Sequence, residues 1–156
     1  MNLYARTTRR LARTSVMRWT MSKVLHPLDM RFKGTRLAPS TFGGQGVPLC
    51  YLTAVGRTSG EERTVPLLYV PLDDGSVAVV ATNFGRDRHP GWSANLLANP
   101  EATLEIDGEI RDVTARRADD DEALTIWKRF DRVWPGYERY REIAPRDIRV
   151  FVLGPR

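Results

Sequence analysis

The sequence predicts an α+β fold: an antiparallel β-barrel of about six strands with inserted helices. From residue 49 onward, short runs of branched and apolar residues alternate with turn residues, which is typical of strands joined by short connections. Longer segments at 90–98 and 119–133 instead carry apolar residues at helical spacing. The chain of 156 residues is long enough for one hydrophobic core, and it contains no internal repeat.

The strands are predicted at 49–55, 64–71, 76–82, 102–106, 110–117 and 149–153. Asp107 and Gly108 separate two of them and are a strong signal for a tight hairpin. One helix is predicted at 90–98, with Pro90 as its first helical residue. A second helix, at 119–133, has acids in its first turn and bases near its end, as the helix dipole prefers. A helical turn is predicted at 134–140.

Residues 1–36 form a basic segment that precedes the predicted domain at 37–156. This segment has nine Lys/Arg residues and one acid, whereas the remaining chain has fifteen basic and eighteen acidic residues. Met17, Met21 and Val24 share one helical face, which predicts an amphipathic helix. Basic side chains beside this face favour an anionic membrane surface, and no nucleic acid partner is expected. The alternative is that the helix packs on the barrel or on a partner subunit.

Cysteine and histidine usage excludes several classes of protein. Cys50 is the only cysteine, so neither a disulfide framework nor a cysteine-built zinc site is expected. His26 and His89 are the only histidines, which argues against a histidine-rich metal site. The longest uncharged stretch, 37–56, contains four Gly and two Pro and does not predict a membrane span. We expect a cytoplasmic protein, peripheral on the inner face of the cell membrane if the basic segment binds lipid.

Two segments are candidate sites for an anionic, planar ligand. The loop 56–63 has two glycines and two hydroxyl residues between two arginines, so that backbone N–H groups and guanidinium groups can bind an anion. It lacks the ending of a P-loop, and a hairpin with solvated arginines is the alternative. The segment 81–95 gathers donors before a predicted helix start and includes Trp92, which can stack on a planar ring. The alternatives are a core role for Trp92 and a local turn role for His89.

The stretches YLTAVGRTSGEERTVPLLYV and VVATNFGRDRHPGWSANLLANPEATLEIDG resemble the deazaflavin (coenzyme F420)-dependent nitroreductase family. This family belongs to the flavin/deazaflavin split β-barrel superfamily, and the similarity covers about two-thirds of the chain. The resemblance implies a split β-barrel that binds coenzyme F420, with a loop that grips the phosphate and anionic tail. Thr58 and Asn83 stand where better-known members carry lysine. The cofactor-binding residues it implies, with their neighbours, are Arg57, Thr58, Ser59, Gly60, Arg63, Pro66, Thr82, Asn83, Arg86, Arg88, Gly91 and Trp92.

The resemblance also implies an acceptor pocket with Trp134, Tyr137 and Tyr140 as its catalytic residues. Trp134 stands in place of a tyrosine of the family. The chain shows no nucleophile–base pair, so the chemistry is assigned to the cofactor. The implied reaction is hydride transfer from reduced F420 to a small electron-poor acceptor, namely a quinone, a nitro compound or an activated alkene. An FMN-binding split-barrel oxidoreductase and a non-catalytic cofactor-binding protein at the membrane surface are the alternatives, and a homodimer is left open.

Overall fold

The computed structural model describes residues 48–156 of the chain. The predictions for 1–36, and the start of the predicted domain at 37–156, lie outside the described residues. The elements in chain order are β1 Leu49–Val55, β2 Glu62–Pro71, β3 Val77–Val80, a 3₁₀ turn Asn83–Gly85, α1 Gly91–Ala98, β4 Glu101–Ile106, β5 Glu109–Arg117, α2 Asp120–Val133, α3 Gly136–Ile143 and β6 Val150–Pro155.

The strands form one closed antiparallel barrel in the order β1-β2-β3-β6-β5-β4, and β4 pairs with β1 to close it. Tyr51 lies opposite Pro66, and Val80 lies opposite Val150. The predicted α+β split barrel is therefore confirmed. The predicted hairpin is also confirmed, because Asp107 and Gly108 have φ values of 51° and 86°, the left-handed pair that a two-residue hairpin turn requires.

A gap in the barrel wall lies between β2 and β3. Strand β3 pairs only with residues 69–71 of β2, because β3 is four residues long. Among the described residues, the first half of β2 therefore has β1 on one side and no strand on the other. Pro66 lies in this half, in keeping with the preference of proline for strand segments with an unpaired side. The gap leaves room for a ligand between β2 and the segment that follows β3.

Two hydrophobic clusters meet at the barrel wall, one inside the barrel and one under α2 and α3. Val77 and Val79 of β3 point into the barrel with Leu52 and Phe151, while Ala78 and Val80 face the outer cluster. This alternation follows from the two-residue period of a strand. Because both faces of β3 are covered, all four of its residues are buried.

Most predicted elements differ from the observed ones by one to three residues at an end, and three of these differences have a clear structural cause. The strand predicted at 76–82 ends at Val80, because the chain turns into left-handed backbone at Asn83. Pro90 is the N-cap of α1 and not its first helical residue, since its ψ of 144° is extended. The helical turn predicted at 134–140 is helix α3, which begins at Gly136, after Trp134 has ended α2.

Candidate functional site

A cavity of about 580 Å³ lies at the unpaired half of β2. Its walls come from β2, the end of β3 with the segment 82–90, the start of α1 and the junction of α2 with α3. This volume is in the range of small-molecule sites. The sequence-predicted residues that line it are Arg63, Pro66, Thr82, Asn83, Arg86, Arg88, Gly91, Trp92, Trp134, Tyr137 and Tyr140.

The other four predicted residues, Arg57, Thr58, Ser59 and Gly60, form a turn that does not belong to the cavity lining. The Gly60 N–H donates to the Gly56 carbonyl at 2.8 Å, and Gly60 has a φ of 70°. The Arg57 N–H donates to Oδ1 of Asn95 at 3.1 Å. Since Asn95 lines the cavity, this bond fixes the turn beside it. A contact between the four turn residues and a ligand stays a prediction.

Arginine side chains give the cavity a positive charge. Arg63, Arg86 and Arg88 line it, and no Asp or Glu is found among its described lining residues. Nη2 of Arg63 lies 3.4 Å from a carboxylate oxygen of Glu61, and both side chains are more than 60% exposed, at 64% and 73%. An exposed pair of this kind contributes little free energy. The Arg63 guanidinium can therefore turn to a bound anion at small cost.

A left-handed turn carries the residues between β3 and α1 into the cavity. Asn83, Phe84 and Gly85 have φ values of 45°, 57° and 73°. Left-handed backbone costs a non-glycine residue roughly 1–2 kcal/mol, so the surrounding structure must hold the turn in place. The Asn83 amide donates to the Arg88 carbonyl at 2.8 Å. A Cβ at Gly85 would lie 2.6 Å from Cγ1 of Ile143, which shows how closely the turn packs on α3.

Arg146 binds the backbone on both sides of the left-handed turn 83–85. No feature of the sequence had indicated this residue. Its Nε donates to the Arg86 carbonyl at 3.0 Å, and its Nη2 donates to the Ala81 and Thr82 carbonyls at 3.2 and 2.9 Å. All three partners are backbone atoms about 60 residues away in sequence. No pattern of residue types could have revealed such a contact. Burial, followed by the charge of Arg149, lowers the pKa of Arg146.

Buried aromatic side chains also line the cavity. Trp134, Tyr137 and Tyr140 are each less than 10% exposed. The Tyr140 ring centroid lies 5.9 Å from that of Tyr137 and 6.1 Å from that of Phe84, both edge to face. Burial, followed by the nearby Tyr140, raises the pKa of Tyr137 far above its usual value. Its hydroxyl therefore stays protonated and can donate a hydrogen bond, but it cannot act as a base near neutral pH.

Gly136 and Trp92 shape the aromatic parts of the cavity wall. A Cβ at Gly136 would lie 2.5 Å from Nε1 of Trp134, so the glycine allows the indole to fold back over the start of α3. Trp92 is 9% exposed, and its ring centroid lies 5.6 Å from that of Phe151 in the barrel interior. Trp92 therefore both anchors the core and lines the cavity.

The other lining residues are Val65, Leu67, Leu68, Val80, Phe84, His89, Pro90 and Asn95. The last four belong to the candidate segment 81–95, whereas the first four were not assigned to a site from the sequence. Because four consecutive residues of β2, 65–68, line the cavity, the two-residue alternation of a strand could not have singled them out. His89 has a pKa below the ordinary histidine value, first because of burial and then because Arg149 and Arg146 are near. It is therefore uncharged at neutral pH.

The part of the chain that the structure describes supports neither a metal site nor a cysteine nucleophile. No cluster of three or more His, Cys, Asp or Glu residues there could hold a metal ion. Burial raises the pKa of the Cys50 thiol to about 12, so it is not a nucleophile. None of the helices in residues 48–156 is long and apolar enough to cross a membrane.

Comparisons with known proteins identify relatives of this chain. An F420H(2)-dependent quinone reductase of Mycobacterium tuberculosis is 30% identical over 112 residues, which cover 70% of this chain and 74% of that protein. A solved F420-H2 dependent reductase (FDR-A) is 33% identical, with a TM-score of 0.62, and the match covers 70% of this chain and 99% of that one. The heme storage protein HutZ of Vibrio cholerae is 17% identical, with a TM-score of 0.54 over 72% of this chain and 84% of its own, and shows the fold alone.

The family model for F420H(2)-dependent quinone reductase matches residues 30–155. The resemblance to deazaflavin-dependent enzymes is thus confirmed, together with the predictions of an F420-dependent oxidoreductase and of coenzyme F420 as its cofactor. The chain belongs to the F420H(2)-dependent quinone reductase family.

Proposed function

We propose that the protein transfers a hydride from reduced coenzyme F420 to a quinone, and that both bind in the cavity at the unpaired half of β2. One observation carries the proposal. One cavity is lined both by three arginines and by buried aromatic side chains. This arrangement suits a ligand with an anionic tail and a flat ring, and leaves an apolar wall for a second flat molecule.

The residues present fit coenzyme F420. Its deazaflavin ring needs flat, apolar walls, which Trp92 and Pro66 offer. Its phosphate and anionic tail need cations, and Arg63, Arg86 and Arg88 line the cavity. Arg86 and Arg88 would compensate for the lysines that the family resemblance leads one to expect at Thr58 and Asn83. FMN also has a flat ring and a phosphate, so the choice of F420 over FMN rests on family membership.

Side chains that line the cavity would stabilise the charge that develops on the acceptor during the reaction. When bound, the reduced deazaflavin supplies a hydride. Reduction of a quinone also places negative charge on its oxygen, which a fixed hydrogen-bond donor stabilises. We propose that the hydroxyls of Tyr137 and Tyr140 are such donors, with Trp134 as a wall that excludes water. Nitro compounds and activated alkenes, which develop similar charge, are the other acceptors to assay.

We expect Tyr137→Phe and Tyr140→Phe to lower quinone turnover roughly three- to tenfold, while the dissociation constant for F420 changes less than twofold. The estimate corresponds to one neutral hydrogen bond of about 0.5–1.5 kcal/mol. If this bond forms only in the transition state, kcat and kcat/KM fall together. The measurement is F420H2 oxidation by a soluble quinone, under steady-state and single-turnover conditions.

Tyr69→Phe is the matched control, because Tyr69 also lies on the barrel but does not line the cavity. It should leave kcat and KM unchanged. Full turnover in both cavity variants, with every acceptor, would remove the tyrosine hydroxyls from the reaction. Failure of the parent protein to oxidise F420H2 with any quinone would contradict the proposed function itself.

For residues 1–36 we propose peripheral binding to anionic lipid on the inner face of the membrane of a cytoplasmic enzyme. The support is the presence of nine basic residues against one acid, next to apolar residues that are predicted to share a helical face. The full chain should sediment with anionic vesicles at low salt and be released at high salt, because salt screens exposed charges. A chain starting at Leu37 should stay in solution at either salt concentration while binding F420 as before. Equal sedimentation of both chains would contradict lipid binding by this segment.

We also propose that the protein is a homodimer. The support is a relative solved as a domain-swapped dimer, which is 28% identical to this chain. The match covers 89% of this chain and 99% of the relative, with a TM-score of 0.64.

A further inference from the structure

The guanidinium group of Arg146 uses all five of its N–H donors. Besides the carbonyls of Arg86, Ala81 and Thr82, its Nη1 bonds to the Asp147 carbonyl at 3.3 Å and to Nδ1 of His89 at 3.0 Å. Four of these five partners are backbone oxygens. The fifth is a ring nitrogen whose protonation depends on what it faces.

This contact determines where His89 carries its proton. A guanidinium group only donates hydrogen bonds, so Nδ1 of His89 must accept and carries no proton. The proton of the neutral ring is therefore on Nε2. The two nitrogens lie on different sides of the imidazole, and His89 lines the cavity. With Nδ1 turned to Arg146, the Nε2–H group is the polar group of the ring that is left to bind a ligand in the cavity.

The charges around His89 oppose a second proton. Three guanidinium groups, those of Arg146, Arg149 and Arg117, face the ring together with one carboxylate, that of Asp147. Protonated Nδ1 would also place a donor against the Nη1 donor of Arg146. These effects agree with the lowered pKa of His89, and they keep the ring neutral at pH 7.

We propose that His89 is a fixed, uncharged hydrogen-bond donor to an oxygen atom of the bound ligand, and that Arg146 is the residue that positions it. The identity of that ligand rests on the proposed function. The oxygen is a carbonyl, either of the deazaflavin ring or of the quinone. His89 is not a general base, because its one basic nitrogen is occupied by Arg146. Its donor strength is therefore constant around neutral pH.

The first test needs no ligand. The chain has two histidines, so His26→Gln in the full-length protein leaves His89 as the only imidazole. Nitrogen-15 NMR should show a protonated Nε2, an unprotonated Nδ1 and a pKa below 6.5. Arg146→Met should raise this pKa toward the ordinary value. A protonated Nδ1 in the parent at pH 7, or a parent pKa of 6.5 or above, would overturn the proposal.

The second test separates the two nitrogens with two amide substitutions. His89→Asn places its amide near the Nδ1 position and keeps an acceptor for Arg146, but it loses the Nε2–H donor. His89→Gln places its amide near Nε2 and keeps that donor. We expect His89→Asn to bind or use the ligand roughly three- to tenfold more weakly, and His89→Gln to recover only part of this loss, because it keeps the donor but not the acceptor for Arg146.

The measurement in which His89→Asn is impaired shows whether the deazaflavin or the quinone supplies the oxygen atom that accepts the bond. If the deazaflavin accepts the bond, His89→Asn weakens the fluorescence titration with F420. If the quinone accepts it, the F420 titration is unchanged and kcat/KM for the quinone falls. Parent-like values for His89→Asn in both measurements would overturn the proposal. If the parent neither binds F420 nor reduces a quinone, the proposed function fails, and the NMR result still decides whether Arg146 fixes the histidine.

Discussion

Replacing Arg63 with alanine is expected to weaken F420 binding by roughly tenfold to a hundredfold. Arg63 lines the cavity, and its exposed pair with Glu61, at 3.4 Å, is too weak to compete with a bound phosphate. A hydrogen bond to a charged group contributes about 1.5–3 kcal/mol, which corresponds to this loss in affinity. Fluorescence titration of the coenzyme measures it directly.

Three variants control this experiment. Arg63→Lys should rescue only part of the affinity, since a lysine cannot present two parallel donors to one phosphate. Arg57→Ala should have a smaller effect, because Arg57 lies in the turn beside the cavity and not in its lining. Arg156→Ala, which breaks an exposed pair with Glu101, should have none. Parent-like affinity in both Arg63→Ala and Arg57→Ala would refute this loop as the phosphate site.

Replacing Gly85 with alanine is expected to destabilise the protein by about 2–5 kcal/mol and to weaken F420 binding. The φ of 73° alone costs alanine roughly 1–2 kcal/mol. The new Cβ would also lie 2.6 Å from Cγ1 and 2.8 Å from Cδ1 of Ile143, and crowding of this kind typically adds about 1–3 kcal/mol. Relief of the clash moves the turn that carries Asn83 and Phe84 into the cavity.

Gly75→Ala separates the two contributions. Gly75 has a similar φ of 81°, but a Cβ there would meet no atom within 4 Å. This variant should lose only the conformational part of the stability and bind F420 like the parent. Urea denaturation gives the stabilities, and the same titration gives the affinities. Equal losses in the two variants would mean that contact with α3 does not hold the turn.

The sequence correctly predicted elements whose backbone conformation depends mainly on the residue types within them. The bounds of β1 match the prediction, and Asp107 and Gly108 form the expected turn. The prediction failed where contacts between distant parts of the chain determine where an element ends. Nothing in the residue types of 76–82 signals that β3 ends at Val80, because that end depends on the left-handed turn after it.

The same distinction applies to the candidate site. The chain segments that form the cavity could be predicted, because glycines, arginines and aromatics gather there in sequence and resemble a known family. The contacts that hold these segments in place could not be predicted from the sequence. Arg146 acts through backbone carbonyls of a distant segment, and the fit of Gly85 against Ile143 depends on how α3 packs. The tautomer of His89 likewise follows from geometry and not from residue type.

The most direct test of the central claim is to titrate the full chain, free of added cofactor, with F420 and FMN in parallel and then to add a quinone to the F420H2 complex. We predict saturable binding of F420, at least tenfold weaker binding of FMN, and oxidation of F420H2 that depends on both protein and quinone. Tighter binding of FMN, or no quinone-dependent oxidation of bound F420H2, would contradict the account.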